Sequence, residues 1–135
     1  MILQKPHELA LGSQDDVVMV RQAVRTVAIE IGLSLVDQTK IVTAASELAR
    51  NTVVHGGGGF ARVEIMRDTG RTGMRLTFED QGPGIADLEM AMKDGYSSAG
   101  GLGLGLGGAK RLSNEFAIES QPGKGTRVTI TRWKG

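Results

Sequence analysis

Apolar residues along this chain follow two rhythms. Val17, Val20, Val24, Val27 and Ile31 recur at steps of three and four, the spacing of one buried stripe on an α-helix. Ser13 reads as its N-cap, with Asp15 and Asp16 in the first turn where the helix dipole favours acids. Gly32 ends it. A second helix is expected from Ser34 to about Val54, with Ile41, Ala44, Ala45, Leu48 and Thr52 or Val53 on its apolar side. The four glycines 56–59 stop it. The period then falls to two. Ala61, Val63 and Ile65 share one side of residues 60–67, and Met74, Leu76 and Phe78 one side of 74–79, so the two segments read as an antiparallel hairpin about the turn 68–73. A short helix is expected over 85–94. A further helix begins within or just after the glycine-rich stretch 97–108 and runs to Asn114. Strands follow at 115–121 and 126–133, the latter with Val128 and Ile130 facing inward. Residues 2–11 hold a short strand, which Pro6 favours as an edge. The order β, α, α, β, β, glycine-rich segment, α, β, β predicts a two-layer α/β (α+β) sandwich. Its sheet is mixed, mainly antiparallel, with about three helices on one face. One domain is expected over 1–135.

Composition narrows the function. The formal net charge of +1 offers no basic excess of the kind nucleic-acid binders show, so no nucleic-acid partner is expected. There is no cysteine, which excludes a disulfide framework, a thiol nucleophile and a cysteine zinc site, and fits a reducing compartment. No apolar run approaches the roughly 18–20 residues needed to span a bilayer, and residues 1–12 lack the apolar core of a signal peptide. The expectation is a cytoplasmic protein without a membrane partner. Glycine is the unusual number: 20 of 135 residues, about twice ordinary usage. These glycines are clustered, as where a backbone must bend sharply or approach something closely.

Three constellations carry candidate chemistry. Glu47 and Asn51 lie four apart on the second helix, hence on one face, and His55 continues the row. A carboxylate there suits proton abstraction, and an amide oxygen suits a hard cation such as Mg²⁺. A solvated polar helix face has the same pattern. Asp80-Gln81-Gly82-Pro83-Gly84 follows a strand directly. Its carboxylate is an acceptor suited to an exocyclic amine, although D-x-G and P-G are also common turn sequences. Gly101-Leu102-Gly103-Leu104-Gly105-Leu106-Gly107-Gly108 opens a helix. Its exposed N–H groups and the helix dipole suit phosphate, and a hinge is the alternative. Gly103-x-Gly105-x-x-Gly108 matches a dinucleotide fingerprint in form, but no strand precedes it. Gly123-Lys124-Gly125-Thr126 lacks the Ser or Thr after lysine and the helix that a P-loop needs. Two histidines, His7 and His55, are too few for a histidine metal site; His7 reads as a surface residue and Trp133 as core. Lys110 and Arg111, just after the glycines, either reach phosphates or lie on a solvated face.

Taken in order, these signals resemble the Bergerat ATP-binding fold of the GHKL superfamily, from about Ser13 to Trp133. Within it, the chain is similar to the RsbT-type switch-protein serine kinases of bacterial partner-switching modules. The residues carrying that likeness are Asp37-Gln38, Ser46-Glu47-Leu48-Ala49-Arg50-Asn51, Glu79-Asp80-Gln81-Gly82-Pro83-Gly84-Ile85, Asp94-Gly95 and Gly100-Gly101-Leu102-Gly103. Lys110-Arg111-Leu112 and Glu115-Phe116 match as well. Val53-Val54-His55-Gly56 departs from that type and is similar to other switch kinases.

The resemblance implies that Asp80 accepts the adenine amine and that Thr126 supports the same region through water. Gly82 and Gly84 would shape the base pocket. Asn51 would help bind Mg²⁺ bridging the phosphates of ATP, and Gly101, Gly103, Leu104 and Gly105 would hold those phosphates through their amides. Residues 85–100 would form a lid, and Glu47 would be the general base. The implied activity is Mg²⁺-ATP-dependent phosphorylation of a Ser or Thr on a STAS-domain partner of a stressosome-like switch. The implied second partner is a PP2C-type phosphatase. The alternatives are an anti-sigma factor kinase that binds a sigma factor, and a nucleotide-dependent binding module without catalysis.

Overall fold

The structure, a computed structural model, describes residues 6–85 and 105–134. Strand β1 (His7–Leu11) precedes helices α1 (Gln14–Glu30) and α2 (Leu35–Val54). Next come strands β2 (Gly59–Asp68) and β3 (Arg71–Asp80), helix α3 (Leu106–Arg111), and strands β4 (Glu115–Ser120) and β5 (Thr126–Trp133). The five strands form one sheet in the order β1-β2-β3-β5-β4. All four ladders are antiparallel, so the mainly antiparallel sheet expected from the pattern is wholly so among the described residues. The expected helix over 85–94 lies, beyond Ile85, outside them.

Both long helices bury the stripes their spacing predicts. Val17, Val20, Val24 and Val27 of α1, and Ile41, Ala44, Ala45, Leu48 and Thr52 of α2, are buried. The two N-termini are capped differently. Ser34 Oγ accepts a 3.1 Å bond from the Asp37 N–H, the usual N-cap bond. Ser13 occupies the N-cap position of α1 but makes no side-chain cap bond. There the first turn reaches back, and Asp16 Oδ2 accepts from the Gly12 N–H at 2.8 Å.

The β2–β3 hairpin is longer than predicted because its turn is shorter. Asp68 pairs with Arg71, leaving only Thr69 and Gly70 in the loop. Both have positive φ, 48° and 84°, as a two-residue turn matched to strand twist requires. Residues 71–73 therefore join the ladder.

Alternation divides the sheet into two faces. One carries Ala61, Val63, Ile65, Met74, Leu76, Phe78, Val128 and Ile130, all buried in the core shared with the helices. The other carries cross-strand ion pairs in ladder register: Glu8–Arg62 at 2.9 Å, Glu64–Arg75 at 3.0 Å and Glu119–Arg127 at 2.7 Å. Trp133 belongs to that second face and is only half-buried, which corrects its expected core position. Its ring lies beside Gly73, where a Cβ would meet Trp133 Cε3 at 2.7 Å, and the Arg71 guanidinium stacks on it at 3.9 Å. His7 is exposed as expected.

Helix α3 ends at Arg111, short of the expected Asn114. The Asn114 N–H bonds to the Thr131 carbonyl and its side chain accepts from the Trp133 N–H, so this residue already belongs to the strand end. Lys110 and Arg111 are exposed.

Candidate functional site

The site grows from the ends of three inward-facing stripes. On β3 the buried positions run Met74, Leu76, Phe78 and then Asp80, so the two-residue period carries a carboxylate to the helix-facing side. On β5 the stripe Ile130, Val128 ends at Thr126. On β4 the stripe Phe116, Ile118 ends at Ser120. Ladder register joins the three polar ends in one row, with Asp80 opposite Thr126 and Thr126 opposite Ser120.

Above this row, α2 contributes Leu48, Asn51, Thr52 and His55 to a cleft. Gly56, Phe78, Asp80, Gly84, Ile85, Leu106, Thr126 and Val128 complete its lining. The walls are largely apolar and the polar groups few, the usual constitution of a small-molecule site. His55, the C-cap of α2, continues the Glu47–Asn51 row as its spacing predicts.

Asp80 is 9% exposed. Its Oδ1 accepts a 2.9 Å bond from the Gly82 N–H. Burial pushes its carboxyl above the ordinary aspartate value; the Gly82 and Thr126 backbone N–H groups oppose that shift, and the nearby Glu79 charge adds to it. Glycine at 56 and 82 is a packing necessity. A Cβ on Gly56 would run into the Asp80 carboxyl, and one on Gly82 would sit 2.7 Å from Gly56 Cα. Gly84, at φ 75°, packs on the Gln121 carbonyl.

Glu47 is partly exposed beside the cleft, paired with Arg50 at 3.1 Å, the two side chains being 35% and 53% exposed. Such an exposed pair is worth roughly 0.2–1 kcal/mol and opens readily. Gly105, the αL N-cap of α3 at φ 68°, lies against the same carboxylate: a Cβ there would sit 2.7 Å from Glu47 Oε2. The glycine-rich segment and the Glu47 helix therefore meet. Gly101, Gly103 and Leu104 lie outside the described residues, as does the expected lid beyond Ile85.

Ser120 was not among the residues the sequence pointed to. Its hydroxyl accepts from the Ile85 N–H at 2.8 Å, lies 2.8 Å from Thr126 Oγ1 and 3.1 Å from the Gly125 carbonyl. The signal was present, since a polar residue ends the apolar alternation of residues 116 and 118. Its meaning depends on which strand lies alongside.

Among the described residues no group of three or more His, Cys, Asp or Glu could hold a metal ion. No described helix is long and apolar enough to cross a membrane. The chain is 48% identical over 118 residues to the serine/threonine-protein kinase RsbT of Bacillus subtilis (strain 168), a match covering 87% of this chain and 89% of that protein. It is 29% identical over 120 residues to an anti-sigma F factor of Thermoanaerobacter sp. (strain X514), covering 85% and 83%. In fold it is similar to the crystal structure of the RsbU and RsbW domains of a Mycobacterium tuberculosis protein, with a TM-score of 0.63 and 23% identity over 98% of this chain and 34% of that one. The profile of the histidine kinase-, DNA gyrase B- and HSP90-like ATPases matches residues 36–134, a span holding Glu47, Asn51, Asp80 and Thr126 in one cleft-centred arrangement, and the chain belongs to that family.

Proposed function

We propose that this chain is a Mg²⁺-ATP-dependent protein serine/threonine kinase of a partner-switching module, acting in the cytoplasm as one ATP-binding unit over residues 1–135. The observation that carries this reading is convergence. Asp80 closes an apolar cleft, Asn51 lines its α2 side, and Glu47 stands one helical turn away against Gly105. A flat base fits between apolar walls, with Asp80 receiving its amine, Thr126 supporting the same region, and Gly82 and Gly84 admitting its edge. Gly105, with Gly101, Gly103 and Leu104, would hold the phosphates. Asn51 would offer its amide oxygen to Mg²⁺, and the ion would supply charge neutralisation for a transfer that positioning and electrostatics chiefly accelerate. Glu47 takes the proton of the acceptor hydroxyl as that oxygen bonds to the γ-phosphorus and the bond to the ADP leaving group breaks.

The acceptor in this reading is a Ser or Thr on a STAS-domain protein, and a PP2C-type phosphatase is the partner engaged once the kinase is released. The 48% identity to a named serine/threonine kinase favours this over an anti-sigma role, which the 29% match supports more distantly. Radiolabelled ATP, Mg²⁺ and STAS-domain proteins incubated with the chain test it: label should appear on a STAS Ser or Thr. Glu47→Ala should bind ATP within about twofold of wild type and lose at least about 100-fold in transfer, a general base contributing roughly 10²–10⁴-fold. ATP binding with no label on any partner returns the chain to a non-catalytic binding module. Full transfer by Glu47→Ala removes Glu47 as base.

A further inference from the structure

We propose that Ser120 fixes the direction of the Thr126 hydroxyl proton and so sets the preference of the cleft for a purine bearing an amine over one bearing a carbonyl; this rests on the reading that Asp80 receives the exocyclic amine of adenine. The argument is one of donors and acceptors. A serine hydroxyl has one proton to give and two lone pairs to receive with. Ser120 Oγ has three neighbours at bonding distance: the Ile85 N–H at 2.8 Å, the Gly125 carbonyl at 3.1 Å and Thr126 Oγ1 at 2.8 Å. The amide only donates and the carbonyl only accepts. All three bonds form together in one arrangement alone, with Ser120 donating to Gly125 and accepting from both Ile85 and Thr126.

The Thr126 proton is then directed toward β4, and the hydroxyl's lone pairs are what the cleft receives. The neighbouring Asp80 carboxylate, when ionised, is likewise acceptor-only. Asp80 and Thr126 thus present lone pairs and no proton to that end of the cleft. An amine, with two N–H groups, matches that end. A carbonyl oxygen in the same place, as in inosine triphosphate, faces lone pairs with no donor. Ser120 is not among the residues lining the cleft, so it acts through Thr126 as a positioning residue.

The test is calorimetric binding of ATP and of inosine triphosphate, each with Mg²⁺, to the full chain. Wild type should prefer ATP. Ser120→Ala leaves the Thr126 hydroxyl free to turn and donate, and should narrow the ratio of the two affinities about tenfold. Ser120→Thr, which keeps the hydroxyl, should retain the wild-type ratio. In a Thr126→Val background, adding Ser120→Ala should change the ratio no further. Should Ser120→Ala fail to fold, Ser120→Cys carries the same expectation, its thiol being weak as donor and acceptor. Equal weakening of both nucleotides, or an undiminished effect in the Thr126→Val background, overturns the proposal alone. Absence of ATP binding by wild type overturns the nucleotide reading and the proposal with it.

Discussion

Asp80 stands where the β3 alternation calls for a hydrophobic side chain, and its cost and its use are the same property. Burial raises its carboxyl above the ordinary value, so the folded chain holds that proton more tightly than the unfolded one. The stabilising contribution is complete below the unfolded value, near 3.9, and is lost as pH rises through the raised folded value. Ionised Asp80 is therefore a burden on the nucleotide-free protein at neutral pH. Asp80→Asn should melt higher than wild type at pH 7–8, the gap opening with rising pH from about 4 and then levelling. The same variant should weaken Mg-ATP binding about 10- to 100-fold, because an amide can turn an N–H toward the adenine amine and leave it unpaired. Thermal melts across pH together with nucleotide titration check both. A gap that shrinks as pH rises would contradict the burial argument.

At the scale of elements, Arg132 links three of them. It sits at the far end of the β5 stripe, its Nη2 2.7 Å from Asp37 Oδ1 in the first turn of α2 and its Nη1 3.2 Å from the Leu112 carbonyl just past α3. The pair is largely buried, with side chains 13% and 20% exposed. Removing one partner of such a pair leaves the other desolvated and unsatisfied. Arg132→Ala should cost about 1–3 kcal/mol, read as a lower urea midpoint at unchanged slope. Because Asp37 also lies near the positive end of the α2 dipole, the loss should fall short of that for a fully enclosed ion pair. The spacing of apolar residues made these helices and strands legible, but not Arg132, since nothing local reveals that β5 ends beneath the start of α2.

For the whole molecule, the cleft draws on α2, β3, α3 and β5, so a ligand there stabilises the assembled fold and not a single element. Mg-ATP at a hundredfold excess over its Kd should add about 2.7 kcal/mol, or roughly 10 °C in Tm. Trp133, the one tryptophan, is a suitable reporter. It pairs with Gly73, seven positions along the ladder from the Asp80–Thr126 pair, about 24 Å away, so its fluorescence follows unfolding and not contact with the nucleotide. Asp80→Asn at the same nucleotide concentration, its binding weakened about 10- to 100-fold, should keep only about 0.4–1.4 kcal/mol of that gain. An equal shift in that variant would place the nucleotide elsewhere.

Much of the site was legible in the sequence because its chemistry is written at local spacings: Glu47 and Asn51 one turn apart, Asp80 closing a strand, glycines opening a helix. Periodicity alone determined which apolar residues of these strands face the helices; the structure extends β3 by one residue to Asp80, pairs it with Thr126, and so carries both onto that same face. The hairpin turn was misjudged by four residues because Thr69 takes a positive φ that its residue type does not announce. Only the tertiary structure decided that Ser120 belongs with them, and that Gly105 rests against Glu47. Those contacts depend on β5 lying between β3 and β4 and on α3 packing beside α2. Strand order and helix docking are set by how whole faces bury one another, a non-local free energy that no short stretch of residues records.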